Sequence, residues 1–215
     1  MKKAVIVSGG PADTELIKNE VKNAGGDTLV IGCDGGMDAL DAAGIVPKVI
    51  LGDFDSVSDE VLARFRAQAE VIRLPREKDL TDTHAAVKHV LSAGAENIVI
   101  LGGIGGRFDH TMGNVALLSM CADHGAEAVM IDTCNRVRIV KDTIEIKKEA
   151  QYGTYVSVLP YGGDATVSLS GFRYPLSEHT LSYADTLGVS NEILADVCRV
   201  TVHAGQILFV ESKDR

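Results

Sequence analysis

The chain has 215 residues, an apolar content of 46% and a formal net charge of −9. That length allows one large domain or two small ones, and the apolar content is sufficient for a real core, which excludes a disordered chain. The acidic balance argues against a nucleic-acid-binding or membrane-surface protein, because such proteins carry a basic face.

The cysteines and the N-terminus indicate the cellular compartment. The four cysteines are far apart and form no CxxC pair, which favours reduced thiols over a disulfide framework or a zinc site. The apolar run that follows Met1-Lys2-Lys3 is too short for a signal peptide or a membrane span. We therefore expect a cytoplasmic protein.

The first part of the chain alternates strand and helix patterns. Short runs rich in Val, Ile and Leu predict buried parallel strands at residues 4–8, 28–31, 48–51, 70–74, 97–101 and 128–131. Apolar stripes at helical spacing predict helices around residues 16–24, 61–65, 86–91 and 115–122, and Ser58 is the predicted N-cap of the second. This alternation predicts an open, mostly parallel α/β sheet.

The pattern changes after about residue 134. Runs that alternate apolar and polar residues predict strands at residues 143–147, 154–159, 165–169, 199–203 and 207–211. They indicate a small antiparallel β domain, either a sandwich or a partial barrel. The predicted organisation is therefore an α/β domain over residues 1–133 and a β-rich domain over residues 134–215.

Glycine and carboxylate motifs follow the predicted strands of the first domain directly. In strand order they are Gly9-Gly10, Asp34-Gly35-Gly36, Gly52-Asp53, Lys78-Asp79 and Gly102-Gly103. Since the carboxyl ends of parallel strands share one edge of a sheet, ligands bind along that edge near a switch in strand order. We expect these motifs to converge on one crevice.

Two carboxylates two residues apart, Asp53 and Asp55, follow the third strand. Oxygen ligands of this kind suit Mg²⁺, which keeps several waters and accepts phosphate oxygens. The alternative interpretation is a solvated turn that leads into the next helix. The preceding Gly52 and the following Ser56 favour the functional interpretation.

The segment Lys78-Asp79-Leu80-Thr81-Asp82 precedes the third helix. Its lysine and two acids could contact phosphate, metal and substrate together. Alternatively, Thr81 or Asp82 is simply an N-cap, because an acid at a helix N-terminus is favourable by itself.

A glycine-rich loop, residues 102–106, runs from a strand into a helix and ends at Arg107. Such a loop lets backbone N–H groups approach phosphate oxygens, although it is neither a Walker A loop nor GxGxxG. Arg107 and Asp109 strengthen this interpretation. His110 and Asn114 are further candidates, although His110 equally fits a hydrogen-bonding residue at a helix start. The sequence contains no GxSxG and no cysteine beside a suitable histidine, which favours direct transfer between bound substrates.

Taken in order, these motifs closely resemble the thiamine pyrophosphokinase family. The resemblance rests on segments 34–36, 52–56, 78–82 and 102–110 and, in the second domain, on segments 155–160, 171–174 and 188–192. It covers nearly the whole chain. It implies transfer of the terminal pyrophosphate of ATP to the hydroxyl of thiamine, which gives thiamine diphosphate and AMP.

The resemblance also implies Mg²⁺, an α/β catalytic domain, a β domain that binds thiamine, and a homodimer with sites between subunits. The implied metal and phosphate ligands are Asp53, Asp55 and Asp79, with Asp82 also catalytic and near the thiamine. The implied nucleotide-binding residues are Asp34, Gly35, Gly36, Lys78, Gly105, Gly106, Arg107 and Asp109. The implied thiamine contacts besides Asp82 are Tyr174, Ser190 and Asn191.

This chain departs from the family pattern in one place. Some family members have Trp where it has Tyr174, and the chain contains no Trp, so stacking should survive with less area. His84 has no assigned role. Two other functional classes are considered: a magnesium-dependent phosphohydrolase, which would release inorganic phosphate without thiamine, and a regulator that binds both ligands without forming AMP.

Overall fold

The computed structural model describes residues 2–77 and 79–214. The chain forms two compact units, Met1–Thr133 and Cys134–Arg215, called unit 1 and unit 2 below. No helix within the described residues has the length and apolar character needed to cross a bilayer.

Unit 1 alternates strands and helices along its whole length. Its strands are β1 (Lys2–Val7), β2 (Leu29–Cys33), β3 (Val49–Gly52), β4 (Glu70–Arg73), β5 (Ala95–Leu101) and β6 (Glu127–Ile131). Its helices are α1 (Thr14–Ala24), α2 (Gly36–Ala42), α3 (Asp59–Arg66), α4 (Asp82–Ser92) and α5 (Phe108–Asp123).

The strands of unit 1 lie in the order β6-β5-β1-β2-β3-β4, and each neighbouring pair is parallel. The predicted parallel α/β sheet is confirmed. From β1 the chain builds outward on one side to β4 and then returns to the other side with β5. The strand order therefore switches between β1 and β5, which is where ligands bind in sheets of this type.

The helix predictions were right for four of the five helices described in unit 1. Helix α2 was missed because it has only seven residues and starts inside the Asp34-Gly35-Gly36 motif, which suggests a turn. Thr81, not Asp82, is the N-cap of α4, and its hydroxyl accepts the His84 N–H at 3.2 Å. Ser58 does occupy the N-cap position of α3, but its hydroxyl does not cap the helix and instead donates to Asp38 at 2.7 Å.

Unit 2 is built from strands. They are β7 (Asn135–Val140), β8 (Thr143–Lys147), β9 (Tyr155–Pro160), β10 (Ala165–Ser170), β11 (Leu176–Leu181), β12 (Asn191–Glu192), β13 (Val197–Ala204) and β14 (Ile207–Ser212). They form two antiparallel groups, in the orders β12-β9-β14-β7 and β11-β10-β13-β8.

One buried cluster joins the two strand groups of unit 2. It includes Val158 and Phe209 from one group and Val167 and Val200 from the other, so the antiparallel sandwich is confirmed. Strands β7, β11 and β12 were not predicted. Their sequences do not show regular alternation, because β7 carries two arginines, β11 is largely exposed and β12 has only two residues.

Candidate active site

A cleft of about 550 Å³ lies in unit 1 at the carboxyl ends of the strands, around the switch between β1 and β5. Its lining residues are Ser8, Gly9, Gly10, Pro11, Cys33, Asp34, Asp55, Ser56, Thr81, Asp82, Thr83, Gly102, Gly103, Gly105, Gly106, Arg107, His110 and Asn114. Contributions come from the ends of β1, β2 and β5, from the segment after β3, and from the starts of α4 and α5.

Six of the residues implied as metal, nucleotide or thiamine ligands line this cleft: Asp34, Asp55, Asp82, Gly105, Gly106 and Arg107. The further candidates His110 and Asn114 line it as well. Among the described residues, Gly35, Gly36, Asp53, Asp79 and Asp109 lie outside its lining. Asp79 is exposed in the loop between β4 and α4. The lysine before it, Lys78, was predicted to contact phosphate and lies outside the described residues.

Asp34 is the most perturbed acid of the cleft. Burial raises its pKa to about 7, helped by the hydrogen bond and charge of the Asp82 carboxyl and by the charge of Asp53, while the Phe54 N–H acts in the opposite direction. Ionising the neighbouring Asp34 and Asp82 carboxyl groups together is unfavourable, because their negative charges repel each other. A divalent cation would relieve that repulsion.

The Asp53-Phe54-Asp55 turn is held in an unusual backbone conformation. Phe54 has φ +68° and Asp34 has φ +42°, which is costly for residues with side chains. The Phe54 N–H donates to Asp34 Oδ1 at 3.3 Å, and the Asp55 N–H donates to Asp53 Oδ1 at 3.1 Å. Gly52 is required beside them, because a Cβ at its φ of +149° would lie 2.0 Å from Asp34 Oδ1.

Asp55 is the exposed member of the turn. Its carboxylate pairs with the Arg76 guanidinium, Nη2 to Oδ2 at 3.1 Å, and both side chains are largely open to solvent. An exposed pair of this kind adds little stability. Its carboxylate can therefore change partners when a ligand enters the cleft.

Two buried hydroxyls, which the sequence analysis did not single out, support the start of α4. Ser8 follows β1 and Thr83 lies in the first turn of α4, and their hydroxyl oxygens are 2.5 Å apart. Both residues are buried and both line the cleft. This contact between residues 75 positions apart fixes the position of the start of α4, and so of Asp82, relative to the end of β1.

The glycine loop is fastened to α5 from within. The Asn114 amide donates to the Gly103 carbonyl at 2.9 Å, and the Gly105 N–H donates to the Thr111 hydroxyl at 3.2 Å. Beyond the loop, Arg107 and Asp109 form a bidentate exposed pair, Nε to Oδ1 at 3.1 Å and Nη2 to Oδ2 at 2.5 Å. The Arg107 hydrogen bond lowers the pKa of Asp109 to about 2.

The donor set for a metal is made of oxygens. Within the described part of the chain no three His, Cys, Asp or Glu side chains are gathered closely enough to form a complete metal site. Mg²⁺ does not need one, because it binds through one or two carboxylates together with water and phosphate oxygens. Asp55 at the lip of the cleft, with Asp53 two residues earlier, fits that requirement.

The predicted thiamine contacts lie in unit 2. Tyr174 is 62% exposed, whereas Asn191 is only 5% exposed. Ser190, between Val189 and Asn191, is exposed and has φ +60°. The Ser190 N–H donates to the buried Ser157 hydroxyl at 3.1 Å, which holds this left-handed turn in place.

Comparison with known proteins covers both units. Residues 21–130 match the family model "Thiamin pyrophosphokinase, catalytic domain", and residues 141–207 match "Thiamin pyrophosphokinase, vitamin B1 binding domain". The thiamine pyrophosphokinase of Bacillus subtilis (strain 168) is 32% identical over 217 residues, and the alignment covers all of both chains.

Solved structures agree with this. A crystal structure of the Bacillus subtilis thiamine pyrophosphokinase superimposes with a TM-score of 0.88 at 30% identity, covering all of both chains. The structure of the Geobacillus thermodenitrificans thiamin pyrophosphokinase gives a TM-score of 0.84 at 29% identity, over all of this chain and 98% of the other.

Proposed function

The chain belongs to the thiamine pyrophosphokinase family, and from that membership we propose that it transfers the terminal pyrophosphate of ATP to the hydroxyl of thiamine. The products are thiamine diphosphate and AMP. The observation that carries the proposal is the cleft at the β1–β5 switch, where acids and glycine loops from five separate segments meet. This is the position and composition expected of a polyphosphate site.

Each unit has its own role in this proposal. Unit 1, with the matched residues 21–130, is the catalytic and nucleotide-binding domain. Unit 2, with the matched residues 141–207, is the thiamine-binding domain. The boundary between the two units falls at residues 133 and 134.

The carboxylates after β3 and β4 hold the metal in this proposal. Asp53, Asp55 and Asp79 bind Mg²⁺ together with phosphate oxygens, and the bound ion supplies charge neutralisation for the phosphates. The strained turn at Phe54 supports this role, because backbone strain of this kind is concentrated at functional sites.

The nucleotide lies against the glycine loop and the β2 end. Gly105 and Gly106 let the loop backbone approach phosphate oxygens closely, and the N-terminus of the 16-residue helix α5 adds its positive field. Arg107 neutralises phosphate charge. Asp34, Gly35, Gly36, Lys78 and Asp109 complete the proposed nucleotide side.

The reaction is an in-line displacement. The thiamine hydroxyl oxygen bonds to the β-phosphorus of ATP, the bond from that phosphorus to the AMP oxygen breaks, and the hydroxyl proton is released. Catalysis then depends mainly on positioning and charge. Asp82, fixed by its place at the start of α4, orients the thiamine hydroxyl.

A homodimer with sites between subunits is the proposed assembly. Unit 2 exposes several large apolar side chains within one short stretch: Tyr174, Tyr183, Leu187, Val189, Leu194 and Val197. Burial of these side chains against a second subunit would be favourable. Tyr174, Ser190 and Asn191, which the family resemblance assigns to the thiamine site, lie in the same stretch, and this supports a site completed by a second copy of the chain.

Product analysis tests the proposal. The full chain is incubated with ATP, Mg²⁺ and thiamine, and we expect AMP and thiamine diphosphate in equal amounts. Formation of ADP and thiamine monophosphate would exclude attack at the β-phosphorus. Release of inorganic phosphate without thiamine would identify a phosphohydrolase, and binding of both ligands without AMP would identify a regulator.

A further inference from the structure

Asn191 is buried, yet its amide engages the backbone of an exposed aromatic residue. Its Oδ1 accepts the Tyr174 N–H at 3.0 Å, and its Nδ2 donates to the Tyr174 carbonyl at 2.8 Å. The same Oδ1 also accepts the Glu192 N–H at 2.9 Å. Both polar groups of the Tyr174 backbone are therefore held by one side chain, an arrangement called the Asn191 clamp below.

The clamp accounts for most of what this amide can do. A side-chain amide has two acceptor sites and two N–H donors, and three of these four are used here. The orientation of the amide is unambiguous, because a backbone N–H can only donate and a carbonyl can only accept. Aspartate in place of Asn191 would keep the two accepted bonds but lose the donor to Tyr174.

The clamp continues a ladder that the backbone begins. Arg173 N–H donates to the Glu192 carbonyl at 2.9 Å, one residue before Tyr174. Asn191 uses its backbone to pair with Val156 of β9, so its side chain extends the ladder to Tyr174. Tyr174 as a whole remains 62% exposed on this fixed backbone.

We propose that Asn191 is a positioning residue, which acts on thiamine by fixing Tyr174 and not by touching the substrate. This inference rests on the proposed thiamine site and assigns a different task to each of two residues in it. Tyr174 supplies the aromatic face. Asn191 holds the backbone of Tyr174 in one conformation before thiamine binds. Binding then costs less conformational entropy, which is preorganisation.

A double-mutant cycle distinguishes an Asn191 that acts only through Tyr174 from an Asn191 that contacts thiamine directly. Thiamine dissociation constants are measured by calorimetry for the full-length wild type, Tyr174→Ala, Asn191→Ala and the double variant. Loss of a stacking ring should weaken binding about tenfold to a hundredfold, and Asn191→Ala should weaken it by about tenfold or less. If Asn191 acts only through Tyr174, the double variant binds within about twofold of Tyr174→Ala.

Direct contact between Asn191 and thiamine would give a different result. The two losses would then multiply, and the double variant would bind about tenfold more weakly than Tyr174→Ala. That outcome overturns the proposal, as does unchanged thiamine binding in Asn191→Ala. The KM for ATP should stay constant in Asn191→Ala, since unit 1 is untouched.

A structural readout keeps the proposal testable without substrate. Amide hydrogen exchange at Tyr174 should be slow in the wild type and faster in Asn191→Ala, which removes the Oδ1 acceptor of the Tyr174 N–H. Ser168→Ala is the matched control, because it removes a side-chain acceptor from the Glu178 N–H at 2.9 Å in the same unit. It should leave Tyr174 exchange and thiamine affinity unchanged.

Failure of the proposed function has a separate signature. A wild type that does not bind thiamine refutes the thiamine site, and with it the task of Asn191, whatever the exchange data show. A wild type that binds thiamine, combined with independent losses in the cycle or unchanged Tyr174 exchange in Asn191→Ala, refutes the positioning role alone.

Discussion

Replacing Glu211 by glutamine should destabilise unit 2 strongly. Glu211 is 0% exposed, and its carboxylate accepts two bonds from Arg136 and one from Arg138, each at 2.6 Å. The Tyr152 N–H donates to it as well, at 3.2 Å. A glutamine has only one oxygen, so either orientation of its amide turns an NH₂ group toward two of these donors.

The expected loss of unfolding free energy follows from the burial of the Glu211 carboxylate. Removing one partner of a buried ion pair costs about 3–5 kcal/mol. We expect about 3 kcal/mol for Glu211→Gln, at the low end of that range, because the side chains of Arg136 and Arg138 are about a quarter exposed and water can reach them. A smaller loss, below about 1 kcal/mol, would refute the reasoning that the buried charge controls this cost.

The assay can report on unit 2 alone. All five tyrosines, from Tyr152 to Tyr183, lie in unit 2, and the chain contains no tryptophan. Tyrosine fluorescence in urea therefore follows the unfolding of this unit. Glu145→Gln is the matched control, because Glu145 forms an equally short pair with Arg199 at an exposed site. The unfolding free energy of Glu145→Gln should fall by only about 0–1 kcal/mol.

The pH dependence has a defined sign. Burial raises the pKa of Glu211, but the hydrogen bonds and charges of Arg136 and Arg138 and the Tyr152 N–H outweigh it, so the pKa lies below its ordinary value. The ionised pair therefore stabilises the fold above the unfolded pKa of about 4.3, and this contribution disappears as the pH falls through the folded pKa. The difference in unfolding free energy between the wild type and Glu211→Gln should be constant from pH 8 to 5 and should become smaller below about pH 4. A difference that grew on acidification would contradict this assignment.

Three further outcomes are expected. Asp55→Asn should lower turnover about a hundredfold or more while the circular dichroism spectrum is kept, since loss of the proposed metal ligand would cost several kcal/mol in the transition state. Near-normal turnover would make Asp55 part of a solvated turn. Asp55→Asn refolded together with the joint Tyr174→Ala, Asn191→Ala variant should regain activity through mixed dimers, at a thiamine concentration at which neither variant alone is active. No recovery with mixed dimers present would place each site within one chain. Gly36→Ala should lower the unfolding free energy by about 1–3 kcal/mol, because its Cβ would lie 2.1 Å from the Val7 carbonyl oxygen. Gly113→Ala in α5 places its Cβ in open space and should raise the unfolding free energy by about 0.5–1 kcal/mol. Equal stability of the two variants would refute the steric argument.

Much of unit 1 could be predicted from local patterns. Its central strands are buried on both faces, so continuous Val, Ile and Leu runs reveal them, as at β1 and β5. The motifs that follow the strands could be placed on one edge because parallel strands end together. That is why Asp34, Asp55 and Arg107 could be expected near one another from the sequence.

Contacts between distant segments could not be predicted in the same way. The Ser8–Thr83 hydroxyl contact joins residues 75 positions apart, and neither position shows a distinctive local pattern. The pKa of Asp34 depends on its burial and then on its distance to Asp82, and both are set by how α4 packs against the end of β2. Only the packed arrangement of these elements determines such distances.

The sequence by itself determined the fold class and the residue types available for chemistry, because periodicity and turn chemistry are local properties. The tertiary structure decided what each polar side chain does. Glu211 is a charged residue and would be expected to face solvent, yet it lies on the buried face of β14 with Ile207 and Phe209. Its charge is compensated there by Arg136, which lies directly opposite it on β7. Asn191 follows the same rule, since its amide partner was decided by the chain segment that packs beside it and not by its neighbours in sequence.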